Sequence, residues 1–210
     1  MDLQGIATVL TAVTALVVAI LNFAKTSYDK RKEYEIRKQE KEDEIARTQR
    51  EKKERNEIKK ASQVIYRELN RVFNNTNSLR AYIIQPHPLD KAKYISVQYE
   101  VLGEGMTSVL EQVQRMPIGN IAGFVAELSS RDFVLWNTQK DVKDDRARAM
   151  MHDFGTDRMA AMRMMDNEVW LGNIVLDFDD SRQLEAVWLK EKMGEVANII
   201  KYKLPEIEED

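Results

Sequence analysis

Twenty-two consecutive residues, Leu3 to Ala24, carry no formal charge, and no other feature limits so narrowly what this chain can fold into. The stretch from Ile6 to Ala24 is rich in Val, Leu, Ile and Ala. At about 1.5 Å of rise per helical residue, roughly 20 such residues cover the hydrocarbon of a bilayer, so one transmembrane helix is expected. A cleaved signal peptide would place basic residues before its apolar run, whereas here only Asp2 precedes it and the basic residues follow. Lys25, Lys30, Arg31, Lys32, Arg37 and Lys38 form that following flank. Short basic flanks stay on the cytoplasmic side, which predicts a single-pass protein with its N-terminus out and its soluble part in the cytoplasm. Lys25, Lys30, Arg31 and Lys32 are then the candidate contacts to lipid headgroups. Ala7, Thr11, Ala15 and Ala19 recur every four residues, a stripe of small side chains through which membrane helices can pack closely into a homo-oligomer; Ala and Thr are also simply common in membrane helices, and the pattern fits either account.

Residues 25–60 have a different character. They hold fourteen Lys or Arg against ten acids, with neither Gly nor Pro and few large apolar positions. Glu33 and Arg37, Asp43 and Arg47, and Glu51 and Arg55 each set an acid four residues before a base, the orientation that supports an exposed helix. Sustained apolar heptads are missing, so a solvated helical stalk about 50 Å long is expected rather than a strong coiled coil. The interleaved acids argue against nucleic acid as a partner, as does the balance of residues 61–210, eighteen bases to twenty-four acids. The expected division is an anchor over 1–24, a stalk over 25–60, a globular domain over 61–204 and an acidic tail over 205–210.

From Ala61 the apolar period returns. Val64, Ile65, Leu69, Val72 and Phe73 mark one face of an amphipathic helix, ended by the polar run from Asn74 to Ser78. Leu79 to Gln85 and Tyr94 to Leu102 read as two antiparallel strands, the second alternating through Ile95, Val97, Tyr99 and Val101 as one half-buried face. Gly103 and Gly105 close it. A helical turn is expected over Ser108 to Gln114, a helix over Ile118 to Leu128, a strand over Phe133 to Trp136, and a loop with a short helix over Asp141 to Phe154. Arg158 to Met165 and Glu168 to Phe178 form a hairpin across Asp166 and Asn167. The last helix is expected from an N-cap at Ser181 to Lys203, with Leu184, Val187, Trp188, Met193, Val196, Ile199 and Ile200 as its buried face.

The order of these elements resembles the GAF domain, a relative of PAS sensor domains. Met159 to Met165, followed by Glu168, Val169, Trp170, Leu171, Gly172, Asn173, Ile174, Val175, Leu176 and Phe178, is similar to the family's paired strands with a Gly in the second, before the C-terminal helix. Gly123 to Trp136 is similar to its middle section. The resemblance covers roughly residues 60 to 203 and implies an α/β (α+β) domain: an antiparallel sheet with helices on one face and, on the other, a pocket used for small ligands or simply for dimerisation. Tyr99, Phe133, Trp136, His152 and Arg158 are the candidate pocket residues. The chain departs from the family in having no Cys to carry a bilin and no cyclic-nucleotide signature, and no output module follows the domain. The overall plan is also similar to the single-span holin of T-even phages, with one membrane helix, a charged connector and a compact α/β domain. In that family the domain faces the periplasm, the opposite of what the basic flank predicts here.

Motifs for catalysis are thin. His152 and Asp153 form a His-Asp pair, but the only other His is His87, too few for a two-metal site. Gly103-Glu104-Gly105 lacks the rest of a phosphate loop. Asp177, Asp179 and Asp180 fit a solvated turn before a helix better than a hard-cation site. The six Met between Met150 and Met165 fit core filling or an adaptable binding surface. The reading that follows is a non-enzymatic, membrane-anchored regulatory or sensor protein, without cofactor, whose domain binds a small ligand or a partner protein. A holin-like lysis protein and a structural docking module are the alternatives.

Overall fold

A computed structural model of the chain describes residues 3–89, 91–181, 183–205 and 207; of the side chains at 3–24, 27–31 and 33–36 it describes none. The packing stripe Ala7, Thr11, Ala15 and Ala19 and the lipid contacts Lys30 and Arg31 therefore lie outside the described residues, while Lys25 and Lys32 are exposed. Among the described residues no helix is long and apolar enough to cross a membrane. Two compact units divide the chain, Met1–Asn56 and Glu57–Asp210.

Helix α1 runs over Leu3–Thr76. In the first unit, its side chains from Arg37 to Asn56 are exposed throughout, as a Gly-free and Pro-free run of interleaved charges dictates. Lys38 and Glu42 pair across one turn at 3.8 Å, and Thr48 Oγ1 donates to the Glu44 carbonyl at 2.9 Å.

In the second unit α1 acquires a buried face through Ile65, Leu69 and Val72. It stops at Asn77, whose φ of 52° is left-handed, with the Ser78 N–H reaching back to the Phe73 carbonyl at 3.2 Å. Strands β1 (Arg80–His87) and β2 (Tyr94–Leu102) follow, then the two-residue β3 (Met116–Pro117). The segment expected as one helix from Ile118 is a 3-10 turn leading into α2 (Ala122–Ser130). Strand β4 is Phe133–Trp136 and α3 is Asp145–Asp153, its N-terminus capped by the Asp144 carboxylate on the Arg146 and Ala147 N–H groups. The hairpin β5 (Arg158–Asp166) and β6 (Val169–Phe178) turns at Asn167, and α4 spans Ala186–Ile200. The six strands form one antiparallel sheet in the order β3-β2-β1-β6-β5-β4.

Both faces of this sheet are covered, which is why every residue of β1 is buried. The C-terminal part of α1 and α4 pack on one face, over Ile83, Met162, Ile174 and Leu176. Helices α2 and α3 and the turn at Val109 to Val113 cover the other, over Ile84, Val97, Ala161 and Val175. Two bulges set which side chains reach which layer. Ile83 pairs with Tyr99 but Ile84 with Val97, so Gln98 is an extra residue in β2. Val97 and Tyr99 consequently point to opposite layers, and the alternation from Ile95 to Val101 is not one continuous face. The second bulge inserts Leu171 between the pairs Met164 with Gly172 and Met165 with Trp170. Gly172 beside it has a φ of 138°, and a Cβ there would sit 2.2 Å from the Ile84 carbonyl oxygen, so β6 approaches β1 at this point as only glycine allows.

The last helix departs from expectation at its start. Its N-cap is Glu185, not Ser181, whose N–H and hydroxyl are instead engaged by the Asp179 carboxylate in a preceding turn. Val187 is 75 % exposed, and Trp188 and Ile199 are also exposed. Leu189 and Ala197 take the inner positions with Met193, Val196 and Ile200.

Candidate functional site

The layer of α2 and α3 does not close completely on the sheet. Between them lies a cavity of about 40 Å³, floored by Tyr82, Ile84 and Val97 and roofed by Phe124, Met151 and Phe154. That volume holds about three water molecules at 10–15 Å³ each. Pockets that enclose drug-sized ligands run to roughly 300–1,000 Å³, so the cavity as it stands is too small to enclose one.

Its walls are apolar except at one end, where Asp177 of β6, Thr156 and Tyr82 of β1 meet. Behind them Arg80 is wholly buried and spreads its guanidinium over four acceptors. Nε donates to Asp177 Oδ2 at 2.8 Å, Nη1 to the Thr107 carbonyl at 2.9 Å, and Nη2 to the Phe154 carbonyl at 2.7 Å and to Thr156 Oγ1 at 2.6 Å. Thr156 Oγ1 in turn donates to Asp177 Oδ2 at 3.0 Å, and the Tyr82 hydroxyl to Oδ1 at 3.3 Å. Arg80 lies 5.7 Å from the Phe154 ring centroid. A planar, five-donor cation suits this role, because it joins one strand to the two segments that close the cavity, after β2 and after α3. Burial pushes the Asp177 carboxyl above its ordinary range against the opposing pull of Arg80. Burial also drives the Tyr82 phenol well above its usual value, and the neighbouring Asp177 charge adds to the effect.

The turn over the cavity is anchored separately. Glu100 of β2 accepts from Ser108 Oγ at 2.6 Å and from the Val109 and Leu110 N–H groups at 2.7 and 3.3 Å. A carboxylate here does for a short turn what an N-cap does for a helix.

The residues singled out from the sequence are dispersed about this site. Trp136 is buried in the layer that surrounds the cavity, 5.2 Å from Phe124 between ring centroids. Tyr99 lies on the opposite face of the sheet, with its hydroxyl 3.3 Å from Ser62 Oγ and its ring edge-on to Tyr66, because the bulge at Gln98 turned it there. Phe133 packs into that same opposite layer. Arg158 is half-buried at the start of β5, opposite Phe178. His152 is exposed near the end of α3 and 3.6 Å from the Asp153 carboxylate, also exposed. Of the acidic trio, Asp177 is no part of a solvated turn: it is buried within β6, while Asp180 is exposed. No group of three His, Cys, Asp or Glu that could hold a metal ion occurs among the described residues. Met150, Met151 and Met159 line the cavity, whereas Met162 and Met164 fill the core on the other face.

No protein-family model matches the sequence, and no curated protein matches it. Solved structures do resemble the fold. The GAF domain of PixJ from Thermosynechococcus elongatus in its blue-light absorbing form superposes with a TM-score of 0.55 at 10% identity, over 70% of this chain and 88% of that one. The chromophore-binding domain of the bacteriophytochrome RpBphP3 from R. palustris gives 0.54 at 11% identity, over 71% and 59%. A GAF domain/HD domain protein from Geobacter sulfurreducens gives 0.53 at 10% identity, over 70% and 95%. At these identities the likeness is one of fold: the domain is GAF-like. The resemblance to a phage holin finds no support in these comparisons.

Proposed function

We propose that this chain is a non-enzymatic regulatory sensor whose GAF-like domain takes a small ligand between its sheet and the layer of α2 and α3. One observation carries the reading: the cavity is apolar along its walls and polar at one end, and the groups at that end are held by the same guanidinium that fastens the covering segments. A ligand that entered would press on those segments first. The Asp177 carboxylate is already engaged by Arg80, Thr156 and Tyr82, an arrangement suited to holding structure rather than to moving protons through a reaction. The uncharged run from Leu3 to Ala24 and the basic flank after it support anchoring of the sensor to a membrane with the domain on the cytoplasmic side. Oligomerisation through the membrane helices belongs to the same proposal.

The test is to ask what the protein carries. Small molecules released on denaturing the purified chain are compared by mass spectrometry with those from Ala147→Leu, which fills the cavity from α3. The expected result is a species present with the parent chain and lost from the variant. Identical extracts from both, with the variant folded, would overturn a ligand-binding role for this cavity.

A further inference from the structure

Resting on the ligand-binding reading of the cavity, we infer that its ligand is an uncharged, mainly apolar molecule bearing a single hydroxyl that bonds between Tyr82 and Asp177. An anion would need a cation with donors to spare. The cationic group beside this site is the Arg80 guanidinium; four of its five N–H groups donate to the carbonyls of Thr107 and Phe154, to Thr156 and to Asp177, and it lies behind the lining residues rather than among them. A cation would need a free carboxylate. Asp177 Oδ2 accepts from both Arg80 and Thr156, and Oδ1 accepts from Tyr82. The two charges are paired with each other in full burial, so displacing either to bind a charged ligand leaves the other uncompensated.

The contact open to exchange is the longest one, Tyr82 to Asp177 at 3.3 Å, beside the shorter bonds of the guanidinium. A ligand hydroxyl lying between them accepts from the phenol and donates to the carboxylate, so that every buried polar atom keeps a partner. The remaining lining excludes further polar groups on the ligand, because Ile84, Val97, Phe124 and Met159 offer them nothing. Size is limited in the same way: from about 40 Å³ the cavity grows by rotation of the unbranched side chains of Met150, Met151 and Met159, which suits one ring or a short chain and not a tetrapyrrole.

Three ring compounds of one size separate the possibilities: phenol, benzoate and benzylammonium, each titrated into the whole 210-residue chain labelled at its Met methyl groups. Phenol is expected to shift the Met150, Met151 and Met159 signals saturably, and the two charged rings to leave them in place. Phenol should bind about tenfold more tightly than anisole, the effect of one hydrogen bond, because the methyl ether accepts from Tyr82 but has no proton to give Asp177. Saturable binding of benzoate or benzylammonium at these methyls overturns the ligand class while the cavity remains a binding site. Phenol binding no tighter than that of anisole removes the hydroxyl from the proposal and overturns it. Silence of all three rings overturns both the class and the ligand-binding reading beneath it.

Discussion

Arg80 and Asp177 are separated by 97 positions in the chain and by 2.8 Å in space, and both are buried. Removing one member of a buried ion pair leaves the other charge stranded at a cost of about 3–5 kcal/mol. Arg80→Ala is therefore expected to lower the urea midpoint severely or prevent folding. Arg80→Lys should recover little, since one ammonium cannot reach acceptors on two separate loops and a strand together. The pH dependence has a definite sign. The Asp177 carboxyl is raised in the folded state, so its contribution is fully present below the ordinary Asp range and is lost as pH rises through the raised value. The stability difference between the parent chain and Asp177→Asn should accordingly shrink as pH is raised from about 4, measured by urea unfolding at successive pH values. The sequence did hold a signal for this pair: Arg80 sits beside the apolar run from Ala81 to Ile84, and Asp177 lies inside the run from Ile174 to Phe178. A charge inside a strand buried on both faces needs a partner. Reading Asp177 together with Asp179 and Asp180 as one turn concealed that.

For the elements, the decisive details are bulges and boundaries. Gly172 sits where β6 nearly touches β1, and Gly172→Ala should cost roughly 3 kcal/mol or more, because both the positive φ and the Ile84 carbonyl forbid a Cβ. Gly194→Ala on α4, whose added Cβ would meet only the Met162 methyl at 3.8 Å, should be neutral or stabilising; thermal denaturation of the two variants checks the contrast. Helix α4 offers a second comparison. Leu189→Ala should lose about 2–5 kcal/mol, and Val187→Ala, at an exposed position, no more than about 0.5 kcal/mol. Periodicity alone assigned both Val187 and Trp188 to the buried face. The short strands, the hairpin and its turn at Asn167 were legible because their cues are local. Tyr99 was misplaced because a single inserted residue, Gln98, reverses the face of everything beyond it, and no pattern within β2 marks it.

At the scale of the whole molecule, the chain separates into a helical unit whose described side chains are exposed and a unit with a two-sided core. A fragment of residues 57–210 should unfold cooperatively with the urea midpoint of the whole chain, since the clusters on both faces of the sheet lie within it. Sidedness is open to direct measurement, because the chain has no native Cys. With one Cys placed at Asp2 and another at the exposed Asn137, an impermeant thiol reagent on intact cells should label the first and spare the second; labelling at 137 would reverse the proposed topology. By itself the sequence determined the division into an uncharged stretch, a charged helix and an α/β domain with GAF-like element order. Those properties follow from charge, apolar period and turn residues, which act between neighbours along the chain. Tertiary structure decided which strands lie side by side, which face each side chain meets, and that Arg80, Tyr82, Thr156 and Asp177 converge on one end of a small cavity. Such convergence depends on the register of β1 against β6 and on two inserted residues, contacts between distant segments that no local pattern encodes.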